Sequence, residues 1–198
     1  MRKLKILGNL LKNEKLEELK ELIGKRISFA RTSNLGANLT DKIYTATYIQ
    51  IPFFWTPKLG NENSKTFNIN ARWNEDDETL LDYYDLNFSI AEPKKSTGNL
   101  IKDTERYIKD NLNSSITFNE FEINQIQVLS RNEIVDNAAE LRYDEGILLI
   151  DKSKRKILLS AELNCIDQVE FITDASTIEL KVNELKIRKT LGNNSYKQ

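Results

Sequence analysis

Apolar residues follow two periods along this chain. Leu16, Leu19, Leu22 and Ile23 recur at helical spacing among Glu and Lys residues. Asn13 is placed to cap the start and Gly24 to end the run in the left-handed region, so a helix is predicted over about 13–23. Leu100, Ile101, Thr104, Tyr107, Ile108 and Leu112 make a second stripe. It predicts a helix over about 98–112, with Ser96 or Thr97 as cap and Pro93 outside its start. Each helix has one apolar and one charged face, the pattern of a helix packed from one side on a sheet or on another helix.

Elsewhere the period is two. Ile43 to Ile51, Phe67 to Trp73 and Tyr84 to Ile90 alternate as half-buried antiparallel strands. Ile116 to Ile126, Leu141 to Tyr143, Ile147 to Ile150, Ile157 to Leu163, Val169 to Thr173 and Ile178 to Val182 read the same way. Asp144-Glu145-Gly146 and Asp151-Lys152-Ser153-Lys154 have the composition of hairpin turns, because Gly reaches positive φ cheaply and Asp bonds its own turn backbone.

These elements predict an α+β fold, antiparallel and β-rich, with two amphipathic helices, in one domain over 1–198. The order helix, strands, helix, strands also permits a duplicated α-β-β-β-β unit, with pseudo-repeats 1–95 and 96–198. Lys20 to Phe29 lies without gaps over Lys109 to Phe118, but the phase fails downstream, where Phe67 falls on Lys156. A single mixed sheet with two covering helices is the preferred reading.

Composition then removes whole classes of chemistry. The 198 residues contain no histidine and one cysteine, Cys165. Ser-His-Asp and Cys-His nucleophile systems, His-ligated zinc or iron and internal disulfides cannot be built. The seven glycines form no Gly-x-Gly and no Gly-x-x-x-x-Gly-Lys, so the common phosphate-cradling loops are missing too. Charged residues make up 30% of the chain, yet the net charge is -1, which disfavours nucleic acid as a partner. An apolar share of 39% supplies a core without any cofactor, and no cofactor is expected.

Arg2, Lys3 and Lys5 before Ile6, Leu7, Leu10 and Leu11 faintly imitate an export signal. Gly8 and Asn9 interrupt the run, and no small-residue cleavage site follows. With no apolar run of about 20 residues to span a bilayer, a cytoplasmic protein without membrane association is expected. The abundance of Asn, Lys and Ile suggests an AT-rich bacterial genome.

Two segments are candidate binding sites. Phe53, Phe54 and Trp55 are consecutive aromatics between Pro52 and Pro57, which suits either an anchor for a protein partner or a core segment beneath a helix. Glu75, Asp76, Asp77 and Glu78 form an acidic run that suits a basic partner or a solvated hairpin tip. A calcium loop would need a central glycine, and none is present.

The rival reading is catalytic. Asp167 or Asp174, followed by Glu179 and Lys181 on an expected strand, resembles in spacing the Asp and Glu-x-Lys of magnesium-dependent nucleases, with Asp174, Glu179 and Lys181 as the site. Glu120 and Glu122 are a further acid pair, better suited to an exposed strand face. The function these residues favour is a non-catalytic bacterial protein that binds another protein, as an inhibitor or immunity-type partner. A magnesium-dependent hydrolase and a carrier of a small ligand in an apolar cavity are the alternatives.

Overall fold

The computed structural model describes residues 4–54, 64–91, 112, 114–135, 139–161, 163 and 166–192. Residues 98–111 of the helix predicted over 98–112, the residues Trp55 and Cys165, and the side chain of Phe54 lie outside the described residues.

Within them the α+β class holds, with antiparallel sheet predominant. The elements are β1 (Lys5–Leu7), α1 (Asn13–Lys20), β2 (Arg26–Ser33), β3 (Gly36–Asn38), β4 (Ile43–Ala46), β5 (Tyr48–Phe54), β6 (Ser64–Glu75) and β7 (Asp82–Ala91). They continue with β8 (Ser114–Val135), β9 (Ala139–Asp151), β10 (Lys156–Ala161), β11 (Val169–Ile172), α2 (Ala175–Asn183) and β12 (Lys186–Gly192). The twelve strands are joined in the order β3-β4-β11-β10-β9-β8-β2-β5-β6-β7, with β1 added beside β9 and β12 beside β8. Only the β1–β9 pair is parallel among the described strands.

The sheet folds back on itself. β6 and β7 lie against β9, β10 and β11, and the main core fills the space between these two halves. β8 belongs to both halves, pairing through Ser114–Glu122 with β2 and through Ile123–Val135 with β9. A smaller core lies under α2, where Ile178 packs on Leu129, Leu148, Leu158 and Ile172. Strands buried on both faces read as unbroken apolar runs, which accounts for Ile147 to Ile150 and Ile157 to Leu159.

Four expectations need correction. Ile43 to Ile51 is not one strand: it breaks at Thr47, before which β4 pairs with β11 and after which β5 pairs with β2 and β6. Ala46 and Ile49 are both fully buried, so the inward face slips by one residue there. The Thr47 Oγ1 and Ser33 Oγ lie 2.8 Å apart and share a hydrogen bond at this corner.

Asp144-Glu145-Gly146 is not a turn but part of the continuous strand β9. Leu129 pairs with Gly146 and Ser130 with Asp144, leaving Glu145 as the extra residue of a β-bulge. Its carboxylate is held in a two-point contact by Arg131, Nε to Oε2 at 2.6 Å and Nη2 to Oε1 at 3.1 Å. Residues chosen for turns also suit bulges, and the flanking apolar strands decide between them.

Ile178 to Val182 is helix rather than strand. Asp174 caps it, its carboxylate accepting from Thr177 N at 3.0 Å, and Ile178 and Val182 sit one turn apart on the buried side. Their β-branched side chains mimic a strand signal in a segment this short. Finally, α1 ends at Lys20 instead of Ile23. Tighter turns, with Leu22 N donating to Leu19 O and Ile23 N to Lys20 O, carry the chain to Gly24 at φ +77°. Asn13 is the first helical residue rather than its cap, the capping position being Lys12.

The Asp151 turn forms as its residues predict. Lys154 N donates to Asp151 O, Arg155 N donates to Asp151 Oδ1 at 2.8 Å, and Lys154 takes φ +64°. Strand borders are closed by side chains. On β7, Lys15 donates to Phe88 O at 3.0 Å and Glu18 accepts from Ile90 N at 2.7 Å; on β6, Asp167 accepts from Trp73 N at 2.9 Å.

One buried hydroxyl stands out. Thr32 is fully buried, and its Oγ1 has no hydrogen-bond partner among the described residues. Thr32→Val is therefore expected to leave stability unchanged or raise it by up to about 1 kcal/mol, measured as the urea midpoint. A loss larger than that would mean the hydroxyl is bonded.

Candidate functional site: the acidic β6–β7 hairpin

Glu75 and Asp82 are the last paired residues of the β6–β7 hairpin, and Asp76 to Leu81 make its turn. Asp76 N donates to Leu81 O at 3.1 Å and Leu80 N to Asp76 O at 2.8 Å. The Asp76 carboxylate organises the turn from inside, accepting from Thr79 N at 3.0 Å and from Thr79 Oγ1 at 2.8 Å. Of the four acids read from the sequence, Asp76 is thus largely structural, while Glu75, Asp77 and Glu78 are exposed.

The turn already binds one cation, supplied by the chain itself. Lys5 on β1 reaches across with its Nζ 2.7 Å from Asp76 Oδ1 and 2.7 Å from Glu78 Oε2. Lys5, followed by the Thr79 donors, holds the Asp76 carboxyl down at about 2, below its ordinary 3.8; Asp76 and Glu78 together lift Lys5 to about 12. The next acid back, Asp85, accepts from Asn9 Nδ2 at 2.9 Å and from Asn74 Nδ2 at 3.2 Å. Lys5 and Asn9 therefore tie the segment 5–9 to the chain's own acidic hairpin. Glu75, Asp77 and Asp82 remain exposed and make no ion pair among the described residues.

A depressed folded-state pKa means that this pairing contributes stability above the ordinary carboxylate value and loses it as the pH falls through about 2. The raised Lys5 value places the upper limit, with loss as the pH rises through about 12. In a carboxyl-carbon NMR titration Asp76 is expected to titrate near 2, and in Lys5→Met its midpoint should climb toward 3.8. An unchanged midpoint would show that Thr79 alone sets the value.

The sequence reading missed Leu80. It is 71% exposed and sits at φ +55°, a backbone conformation that four-residue turns normally give to Gly or Asn. A leucine there costs on the order of 1–2 kcal/mol and presents an apolar side chain to solvent amid carboxylates. The signal was in the sequence: an acidic turn with no glycine leads into Leu80-Leu81. The β10–β11 connection stands close by. Tyr84 Oη donates to Leu163 O at 2.8 Å, and Asp167 at φ +56° accepts from Trp73 N. Trp73 and Tyr84 pair two rungs before Glu75 and Asp82, about 7 Å along the strands. Ile166, on this connection, is exposed as well.

The other candidates fall elsewhere. Phe53 is only 2% exposed and belongs to the main core, so it is no surface anchor; extended backbone sends alternate side chains inward, and its turn is the inward one. Asp174, Glu179 and Lys181 are not gathered into one site. Asp174 is spent capping α2, its carboxyl held at about 2 by the Ser176 hydroxyl and the Thr177 amide and hydroxyl. Glu179 lies 4.0 Å from Lys156, and Lys181 is paired with the buried Glu170, which also accepts from Ser160 Oγ at 3.0 Å. Residues two apart on a helix diverge by roughly 200°, so Glu-x-Lys on α2 lacks the same-face geometry it would have on a strand.

Glu120 and Glu122 pair with Arg26, and Glu122 also with Lys152, which lowers the Glu122 pKa. Among the described residues no group of three or more Asp, Glu, Cys or His side chains converges as a metal site would require. No helix among them is long and apolar enough to cross a membrane. No family model, no curated protein and no solved structure matches the chain.

Proposed function

We propose that this chain is a non-catalytic protein-binding protein, of the inhibitor or immunity type, that uses the β6–β7 hairpin to engage a partner with a basic surface. The observation that carries the reading is Leu80, a solvent-facing leucine held at positive φ near the end of an acidic turn. Folding has no use for it there, since glycine or asparagine would make the same turn with less strain. Recognition does: an exposed apolar side chain in a turn that also exposes Glu75, Asp77 and Asp82 suits a pocket whose rim carries Lys or Arg. The Lys5 contact supports the same chemistry, because it shows an ammonium group seated between Asp76 and Glu78.

Leu80→Gly is expected to change stability by less than about 1 kcal/mol, since relief of the strained φ offsets the added freedom of the unfolded chain. Asp77→Lys, an exposed substitution, is expected to stay within about 0.5 kcal/mol. Both variants should lose a partner that the unaltered chain retains in affinity capture, and that partner should be released by salt. If both fold normally and keep every partner at unchanged affinity, the hairpin is not the binding site.

A further inference from the structure

Among the described residues β12, seven residues long, has one unpaired border. It pairs with β8 on one side only, and among the described residues no strand lies on its other side. The borders of β6 and β7 are closed by Asp167, Lys15 and Glu18, as described above, and β3 is only three residues long. No side chain closes β12 in that way among the described residues. The Arg188 guanidinium is turned to Asp144, and the Lys186 carbonyl takes only the Ser130 hydroxyl of its existing neighbour.

The register gives this border a specific pattern. Lys186 stands opposite Ser130, Ile187 opposite Leu129 and Lys189 opposite Val128, so Arg188 is the extra residue of a bulge. Lysines three apart on a regular strand would face opposite ways. The bulge brings Lys186 and Lys189 to one face, about two residue rises or 7 Å apart, and leaves Ile187 on the other. Both lysines are exposed and make no ion pair among the described residues, and Ile187 is 52% exposed.

We infer that β12 accepts an extended acidic segment of a protein partner as an added strand, recognised through carboxylates at alternate positions with an apolar residue between them. Backbone pairing supplies affinity, the two carboxylates meet Lys186 and Lys189, and the apolar side chain covers Ile187. A second copy of β12 is a poorer occupant, because it brings lysines in place of carboxylates to the new pair.

The test is an NMR titration of the full chain, labelled on its amides, with a blocked heptapeptide centred on Glu-Val-Glu and with an isomer centred on Glu-Glu-Val. The expected result is shift changes and slowed amide exchange confined to 186–192 with the first peptide. Affinity should fall at least tenfold in Lys186→Glu/Lys189→Glu and severalfold in Lys186→Gln/Lys189→Gln, which removes the charges but keeps polar side chains. Asp77→Lys should bind as the unaltered chain does. Equal binding of the isomer, equal affinity in the charge-reversed variant, changes outside 186–192, or none at all would each overturn the inference.

Discussion

Arg188→Met is expected to cost about 3–5 kcal/mol of folding stability, the usual result of stranding one member of a buried ion pair. Asp144 is 1% exposed, and Arg188 holds both of its oxygens, with Nε 2.7 Å from Oδ1 and Nη2 on Oδ2. Among the described residues the only other bond to the carboxylate is from the Leu11 amide, 2.6 Å from Oδ2. Arg188 Nη2 also donates to Leu11 O at 3.3 Å, so the lost residue would leave a buried anion and loosen the segment between β1 and α1. Asp144→Leu/Arg188→Met removes both charges together and should recover most of the loss, because apolar pairs of similar volume replace buried ion pairs at little cost. Urea unfolding of the single and double variants measures this. If Arg188→Met costs less than about 1 kcal/mol, water reaches Asp144 and the pair belongs to the surface.

Gly8→Ala should destabilise the fold by about 3 kcal/mol, the sum of a backbone and a steric effect. Gly8 has φ +97°, and a Cβ built on it would lie 2.7 Å from Tyr143 Cβ and 2.9 Å from Tyr143 Cδ1. Tyr143 cannot step aside, being buried against Tyr84 with ring centroids 6.3 Å apart. Gly24 separates the two effects, since it has φ +77° but nothing within 4 Å of its added Cβ. Gly24→Ala should therefore show the backbone cost alone, about 1–2 kcal/mol. Equal losses at the two positions would mean that Tyr143 does yield.

What the sequence discloses depends on how far apart the deciding contacts lie. The first helix, the tip of the β6–β7 hairpin and the Asp151 turn depend on neighbours within a dozen or so residues, and all three form, the helix stopping at Lys20 short of Ile23. The break at Thr47 depends on β11, and the bulge at Glu145 depends on β8, so neither can be seen in local alternation. α2 was misread because Ile178 and Val182 satisfy a strand pattern as easily as one helical face, although the Asp174-x-x-Thr177 cap was there to be read. β12 was missed because five of its seven residues are exposed and its pairing to β8 comes from across the fold. At the candidate site, the four acids were legible as a cluster. Their sorting into a turn-former, a lysine-bound acid and free acids required Lys5 to arrive from β1.

The split at Thr47 also sets the order in which the chain can become ordered as it is synthesised. β2 and β5 can meet early, but β2 gains its second neighbour only when 114–122 have emerged, and β4 has no β11 beside it until 169–172 are made. Of the two strands joined by a single residue, β5 thus has both neighbours once 64–75 are made, while β4 waits for β11. Such non-local pairing slows folding and leaves strand borders open in the nascent chain. Ala46, fully buried in the finished sheet, lacks its neighbour Val169 until then, so the newly made chain is expected to be most prone to aggregation before 169–172 appear.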